Sequence, residues 1–279
     1  MDRIPLCVPY NRKDEARRAG AKWDPELRAW ICEPAQLTSH LYAQLRPFVP
    51  RMYRLDVEPP YIRPWMVPQT SWGKNLRAVL KKEEWDVVRR HAYASAGNRC
   101  RVCGERGPKW PVEADEAWEY DDATLTQTLK GVIALCPSCH RVRHWGKTMV
   151  DGNEEEAFEW VMHINRWSRS EAEKAADFAF RQWERRSRHQ WRVDYSWVTR
   201  THGFQPDEEG LRRAAIANQE LVSMAAARAG SLNVMEEVPP SSGQLNLPEP
   251  AASQRPDVAP VPQRQSGKIM RFFKSLFRE

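Results

Sequence analysis

The chain has 279 residues, 29% of them charged, and a mean hydropathy of -0.72, so much of it is surface and no single large core is expected. A formal charge of +6 and a pI near 9 favour an anionic partner, nucleic acid or a membrane surface. No stretch approaches the roughly 18 apolar residues needed to span a bilayer. The opening "MDRIPLCVPYNRKDEARR" turns charged before any apolar run long enough for a secretory signal, so a cytoplasmic protein with reduced thiols is expected. Thirteen tryptophans point to small, aromatic-centred cores.

Residues 1–45 form the first expected unit, a small α/β domain. In "RIPLCVPYNRKDEARRAGAKWDPELRAWICEP" an apolar strand is followed by a polar helix ending at Gly20. A turn at Asp24-Pro25 then leads to a second apolar strand, and the two strands are expected to pair around Trp23 and Trp30. Val8-Pro9-Tyr10, Asp14-Glu15-Ala16, Gly20-Ala21-Lys22-Trp23-Asp24 and Trp30 together resemble a short domain of unknown function found at the front of plasmid primases and other mobile-element proteins. Cys7 and Cys32 read as buried thiols, since small free cysteines pack as hydrophobes.

Residues 46–71 are rich in proline and read as an irregular or extended connector. The segment from Asn75 to Gly97 then reads as one helix, with Leu76, Val79, Leu80, Val87 and Val88 on its apolar face and Gly97-Asn98 as its stop. Its Lys81, Lys82, Arg89, Arg90 and His91 make a basic face, either solvated or in contact with DNA.

Cys100-Arg-Val-Cys103 and Cys136-Pro-Ser-Cys139 are two CxxC knuckles. In a reduced compartment four such thiolates are the ligand set of a tetrahedral zinc site; two disulfides conflict with the compartment, and a redox dithiol is the remaining alternative. A closed tetrad of this kind is structural, because no position is left for water or substrate. Between the knuckles, "WPVEADEAWEY" and "TQTLKGVIAL" read as two strands turning near Asp121-Asp122, and Pro137 opens a helix through His140 and His144. Alternation puts Glu113 and Asp115 on one face of the first strand, and His140 and His144 share a helix face.

Knuckle, two strands, knuckle and helix resemble the ββα-metal unit of the HNH endonucleases. The resemblance runs from "WGKNLR" at 72–77 through "WPVE", "WEYDD" and "ALCPSCHRVRH" to about Trp197. It implies a DNA endonuclease in which a histidine on the first strand is the general base. The histidine directly after the last cysteine, His140 here, then holds a catalytic Mg²⁺ or Mn²⁺. The chain departs from this pattern twice. Gly131 stands where the family's middle asparagine belongs, and Asp115 stands at the base position. An unperturbed carboxyl titrates about two units below imidazole, so activity should be weakened. Asp115 is thus either a poor base or a second ligand to the catalytic ion with His140, which leaves Glu113 or Glu116 as base. Arg141, Arg143, His144 and Lys147 are the expected phosphate contacts. Two functions follow: a weakened metal-dependent HNH endonuclease acting on DNA, or a catalytically silenced zinc module that binds DNA or a protein partner. By analogy, both fit plasmid, phage or defence biology.

The 72–200 domain is expected to close with a helical pair, "NEEEAFEWVMHINRW" and "SRSEAEKAADFAFRQWERRSRHQW", the second capped by Ser168 with Glu171. Phe158, Val161, Met162, Ile164, Phe178, Phe180 and Trp183 are its expected packing residues. "RVDYSWVT" alternates like a short strand, 207–230 reads as an alanine-rich helix, and 231–266 as a disordered linker. Residues 267–279 read as a basic amphipathic helix for a membrane surface or a protein partner. The expected class is therefore α+β throughout.

Overall fold

The computed structural model describes residues 3–236, a mixed α+β chain with two small sheets. The linker beyond Glu236 and the amphipathic segment at 267–279 lie outside the described residues. No helix among those described is long and apolar enough to cross a membrane.

The N-terminal unit holds β1 (Ile4–Pro5), α1 (Lys13–Arg18), β2 (Lys22–Asp24) and β3 (Ala29–Cys32), with an antiparallel sheet in the order β1-β3-β2. β2 is a strand the sequence pattern hides, because only three residues separate the end of the polar helix at Gly20 from the turn at Asp24. Trp23 does face Trp30 across β2 and β3, but it stays 54% exposed. The unit's core is instead Leu6, Val8, Leu45 and Phe48, the last two supplied by α3 (Tyr42–Leu45) and the chain just after it; α2 (Pro34–Leu37) precedes α3.

The proline-rich connector is irregular, yet it is no free linker. Phe48 and Val49 complete the N-terminal core, while Ile62 and Met66 enter the central one. Buried Asn165 clamps it from the far helix: its Oδ1 accepts from the Tyr61 amide at 2.7 Å and its Nδ2 donates to the Ile62 carbonyl at 2.8 Å. A buried amide satisfied on both sides specifies one register of packing, since an unmade bond here costs its full desolvation.

The single helix expected from Asn75 is two. α4 (Leu76–Val79) ends where Leu80 turns extended, and α5 (Lys82–Ser95) restarts with the Glu84 carboxylate accepting from the Lys81 amide at 3.0 Å. The break rotates the apolar stripe, so Leu76, Val79, Leu80 and Val88 are buried but Val87 is exposed. β4 (Glu113–Asp121) and β5 (Thr126–Leu135) pair antiparallel, with a register shift between Ala117 and Trp118. α6 (Pro137–Arg143) packs on both strands and leads into α7 (Trp145–Val150). α8 (Glu154–Asn165) and α9 (Arg169–Ser187) then cover the centre; the Ser168–Glu171 cap forms in both directions. Phe158, Val161, Ile164, Phe180 and Trp183 pack as expected, whereas Phe178 falls on the outer side of α9 and is exposed.

Only Arg192–Asp194 of "RVDYSWVT" is strand: β6 adds parallel to β5, and Asp194 then bonds the Ser196 amide to open α10 (Ser196–His202). α11 (Glu208–Glu236) runs past residue 230 into the segment expected to be disordered, since no proline interrupts it before Pro239.

The N-terminal unit is docked on the first knuckle. Arg99, buried, donates to the Gly104 carbonyl at 2.9 Å and to the Leu27 carbonyl at 2.6 Å. The Arg51 and Met52 amides donate to Arg101 and Val102, and Cys7 Sγ donates to the Cys100 carbonyl. Gly104, at φ +80, turns the knuckle where an added Cβ would lie 2.9 Å from the Pro5 carbonyl oxygen, a place where no side chain fits.

Candidate metal centres

All four knuckle cysteines are buried in the central core. Cys103 Sγ lies 3.7 Å from Cys136 Sγ and 3.9 Å from Cys139 Sγ. A disulfide would need about 2.05 Å. A tetrahedron of metal–sulfur bonds near 2.3 Å has edges of about 3.8 Å. The separations therefore fit four ligands around one metal ion and rule out bonded pairs. N–H groups complete the site: the Glu105 amide on Cys103, the Cys139 amide on Cys136, and the Trp160 indole on Cys139 at 3.2 Å. The Trp160 contact comes from α8, and no sequence spacing signals it.

Cys7 and Cys32 stand apart as buried thiols, and burial pushes each up to about 12. At pH 8 only roughly one such thiol in ten thousand is ionised. A thiol reagent should therefore label none of the six cysteines in metal-loaded protein and all six once denaturant and chelator are added. Rapid labelling of one or two in the native state would show that this burial is wrong.

The second cluster brings together Asp115 from β4 with His140 and His144 from α6 and its end; their ligand atoms lie within 4.8 Å of one another. His144 Nε2 is 3.4 Å from Asp115 Oδ1. Glu113, two residues before Asp115 on the same strand face, accepts from His140 Nδ1 at 2.5 Å. That bond fixes the ring and leaves Nε2 as the ligand atom, the carboxylate–histidine arrangement of metal sites. The His140 hydrogen bond also holds the Glu113 carboxyl below its ordinary range. Asp115 is 4% exposed. Burial alone would raise its carboxyl, but the charge of Arg143 and the hydrogen bond and charge of His144 reverse that and hold it low. Asp115 is thus kept ionised, as a metal ligand must be, and its weak hold on a proton makes it a feeble general base.

Arg143 Nε donates to Asp115 Oδ2 at 3.1 Å, and its guanidinium lies 5.0 Å from the Trp65 ring centre. Trp65 is strapped over it by backbone bonds to Val142 and Trp145. The other expected phosphate contacts also have acidic partners: Arg141 pairs with Glu156, and Lys147 with Asp151. Exposed pairs of this kind contribute about 0–1 kcal/mol, so a phosphate can displace them. On α5, Lys82, Arg89 and Arg90 converge on Asp86, which favours the solvated reading of that face.

Glu116 does not join the cluster. Its Oε1 accepts from the Leu76 amide at 2.8 Å and its Oε2 from the Trp118 indole at 3.0 Å, opening α4. Burial outweighs these donors and pushes its carboxyl up to about 8. The folded chain therefore holds a proton that the unfolded chain has lost, and this contribution to stability fades as pH rises from about 4.5 to about 8. Glu116→Gln turns its amide nitrogen toward one of those donors at a cost of about 1–3 kcal/mol. The melting temperature should drop by several degrees near pH 5 and by less near pH 8, with divalent binding unchanged. An unchanged melt with lost divalent binding would put Glu116 in the metal site instead.

Fold and site together define a mixed α+β protein with a four-cysteine cluster able to hold a structural metal ion. Comparison with family models matches residues 3–43 to one described as "Domain of unknown function (DUF5710)". That span contains the Val-Pro-Tyr to Trp30 pattern read from the sequence. Comparison with the curated proteins and with the solved structures gives no match.

Proposed function

We propose that the protein is an HNH-type, divalent-metal-dependent DNA endonuclease built around a structural zinc. The observation that carries this reading is the meeting of Asp115, His140 and His144 at one point, with Glu113 orienting His140. Cys100, Cys103, Cys136 and Cys139 would hold the zinc, whose preferred ligands and bond length they match. Asp115, His140 and His144 would hold Mg²⁺ or Mn²⁺, which supplies charge stabilisation to a phosphodiester and its leaving oxygen. Two imidazoles favour manganese over magnesium. Asp115, already ionised and ion-paired, has little tendency to take a proton. Slow cleavage therefore follows from the absence of a strand histidine. Arg141, Arg143 and Lys147 would exchange acidic partners for phosphates.

One observation favours the second reading, a silenced module that binds DNA without cutting it: Arg143 pairs with Asp115 and would compete with a divalent ion for its charge. Supercoiled plasmid separates the two. The endonuclease reading predicts slow nicking, faster with Mn²⁺ than Mg²⁺, by protein whose zinc content is one per chain. Plasmid that is bound yet stays intact with every divalent ion tested would leave the silenced module.

A further inference from the structure

Beside the Asp115 cluster lies a cavity of about 430 Å³, within the range of small-molecule sites. Asp115 and His144 belong both to the candidate metal cluster and to the cavity lining, so the cavity opens directly on the place where a phosphodiester would sit. Four half-buried tryptophans from different segments line it: Trp65 of the connector, Trp72 before α4, Trp85 of α5 and Trp118 of β4. Lys74 and Arg77 add positive charge to the lining. Gln127 of β5 lies on the same lining at 1% exposure, and its Oε1 has no hydrogen-bond partner.

An orphaned buried acceptor is expensive unless a ligand meets it. Several indoles lining one cavity together with a polar group suit a flat, aromatic ligand with a hydrogen-bonding edge. Position beside a phosphate site narrows that class to a nucleobase.

We propose that this cavity receives one unpaired nucleobase, stacked on tryptophan and read by Gln127, while its flanking phosphate lies at Asp115, His140 and His144. The inference rests on the nucleic-acid reading of that site, and it makes the substrate a single strand, bulge or extruded base rather than an undistorted duplex. Unstacked bases are held this way because aromatic stacking is open to every base and a polar group then selects an edge.

The test uses the zinc-loaded full chain without added divalent ion and three DNA probes: a single strand carrying 2-aminopurine, the same strand abasic at that position, and a duplex with the 2-aminopurine bulged. The single strand and the bulge should bind roughly tenfold to a hundredfold more tightly than the abasic strand, with quenching of 2-aminopurine on binding. Gln127→Leu and Trp85→Ala should each remove most of that difference; either one that keeps its zinc content and melting transition serves as the test. Equal affinity for the base-bearing and abasic strands overturns the pocket, even if plasmid is nicked and the endonuclease reading stands. Base-dependent binding without nicking keeps the pocket and defeats the endonuclease. Base-dependent binding that survives both substitutions places the base elsewhere and overturns the proposal.

Discussion

Removing the metal from the four cysteines should collapse the described fold as one unit. The cluster sits inside the central core with Trp145, Met149 and Val161, and among the described residues no disulfide ties the β4–β5 hairpin to the segment before it. Structural zinc in small domains is worth about 10–16 kcal/mol, as much as or more than the net stability of about 5–15 kcal/mol that a domain retains. Loss of the ion also leaves four buried thiols facing each other. The N-terminal unit should not survive independently, because Arg99, Cys7, Arg51 and Met52 fasten it to the backbone of the first knuckle. Chelation, or Cys139→Ser, should therefore abolish the near-ultraviolet signal of the tryptophans and the cooperative melt together. A cooperative melt in metal-free protein would show that the apolar core suffices without the ion.

The second large effect is on catalysis. His140→Ala and Asp115→Asn should each reduce Mn²⁺-dependent nicking by at least about 10²-fold, since each deletes a proposed ligand. Glu113→Ala should fall between these and wild type, about 10- to 100-fold down, the usual cost of losing a group that orients a metal-bound histidine. This ordering separates ligand from support. Asp115→Asn has a further consequence, because it leaves Arg143 beside a neutral group; its melting temperature should fall where that of Glu113→Ala holds nearly constant. If Glu113→Ala cost as much as His140→Ala, Glu113 would itself be a ligand.

Much of this was legible in the chain. CxxC spacing gave the four-cysteine cluster, alternation placed Glu113 and Asp115 on one face, and the i, i+4 spacing brought His140 and His144 together. Those inferences hold because strand and helix periods are local. What stayed hidden depends on long-range packing. Arg143 has the local signature of a phosphate contact, and nothing local reveals that it turns back onto Asp115 under Trp65. The cavity draws its tryptophans from five separate segments, Trp183 of α9 among them. Asn165 holds the connector about a hundred residues away in sequence, so composition alone suggested a linker where the chain is clamped. Glu116 looked like a candidate base because it neighbours Asp115, yet the same alternation that joins Glu113 to Asp115 sends Glu116 to the other side.

Asp115, His140 and His144 are proposed to hold one divalent ion, distinct from the one proposed for the cysteine cluster. Titrating zinc-loaded protein with Mn²⁺, and following free Mn²⁺ by its electron paramagnetic resonance signal, tests it without reference to DNA. One saturable Mn²⁺ per chain is predicted, lost in both Asp115→Asn and His140→Ala while each variant retains its zinc. No saturable binding in wild type, or binding unchanged by either substitution, would contradict it.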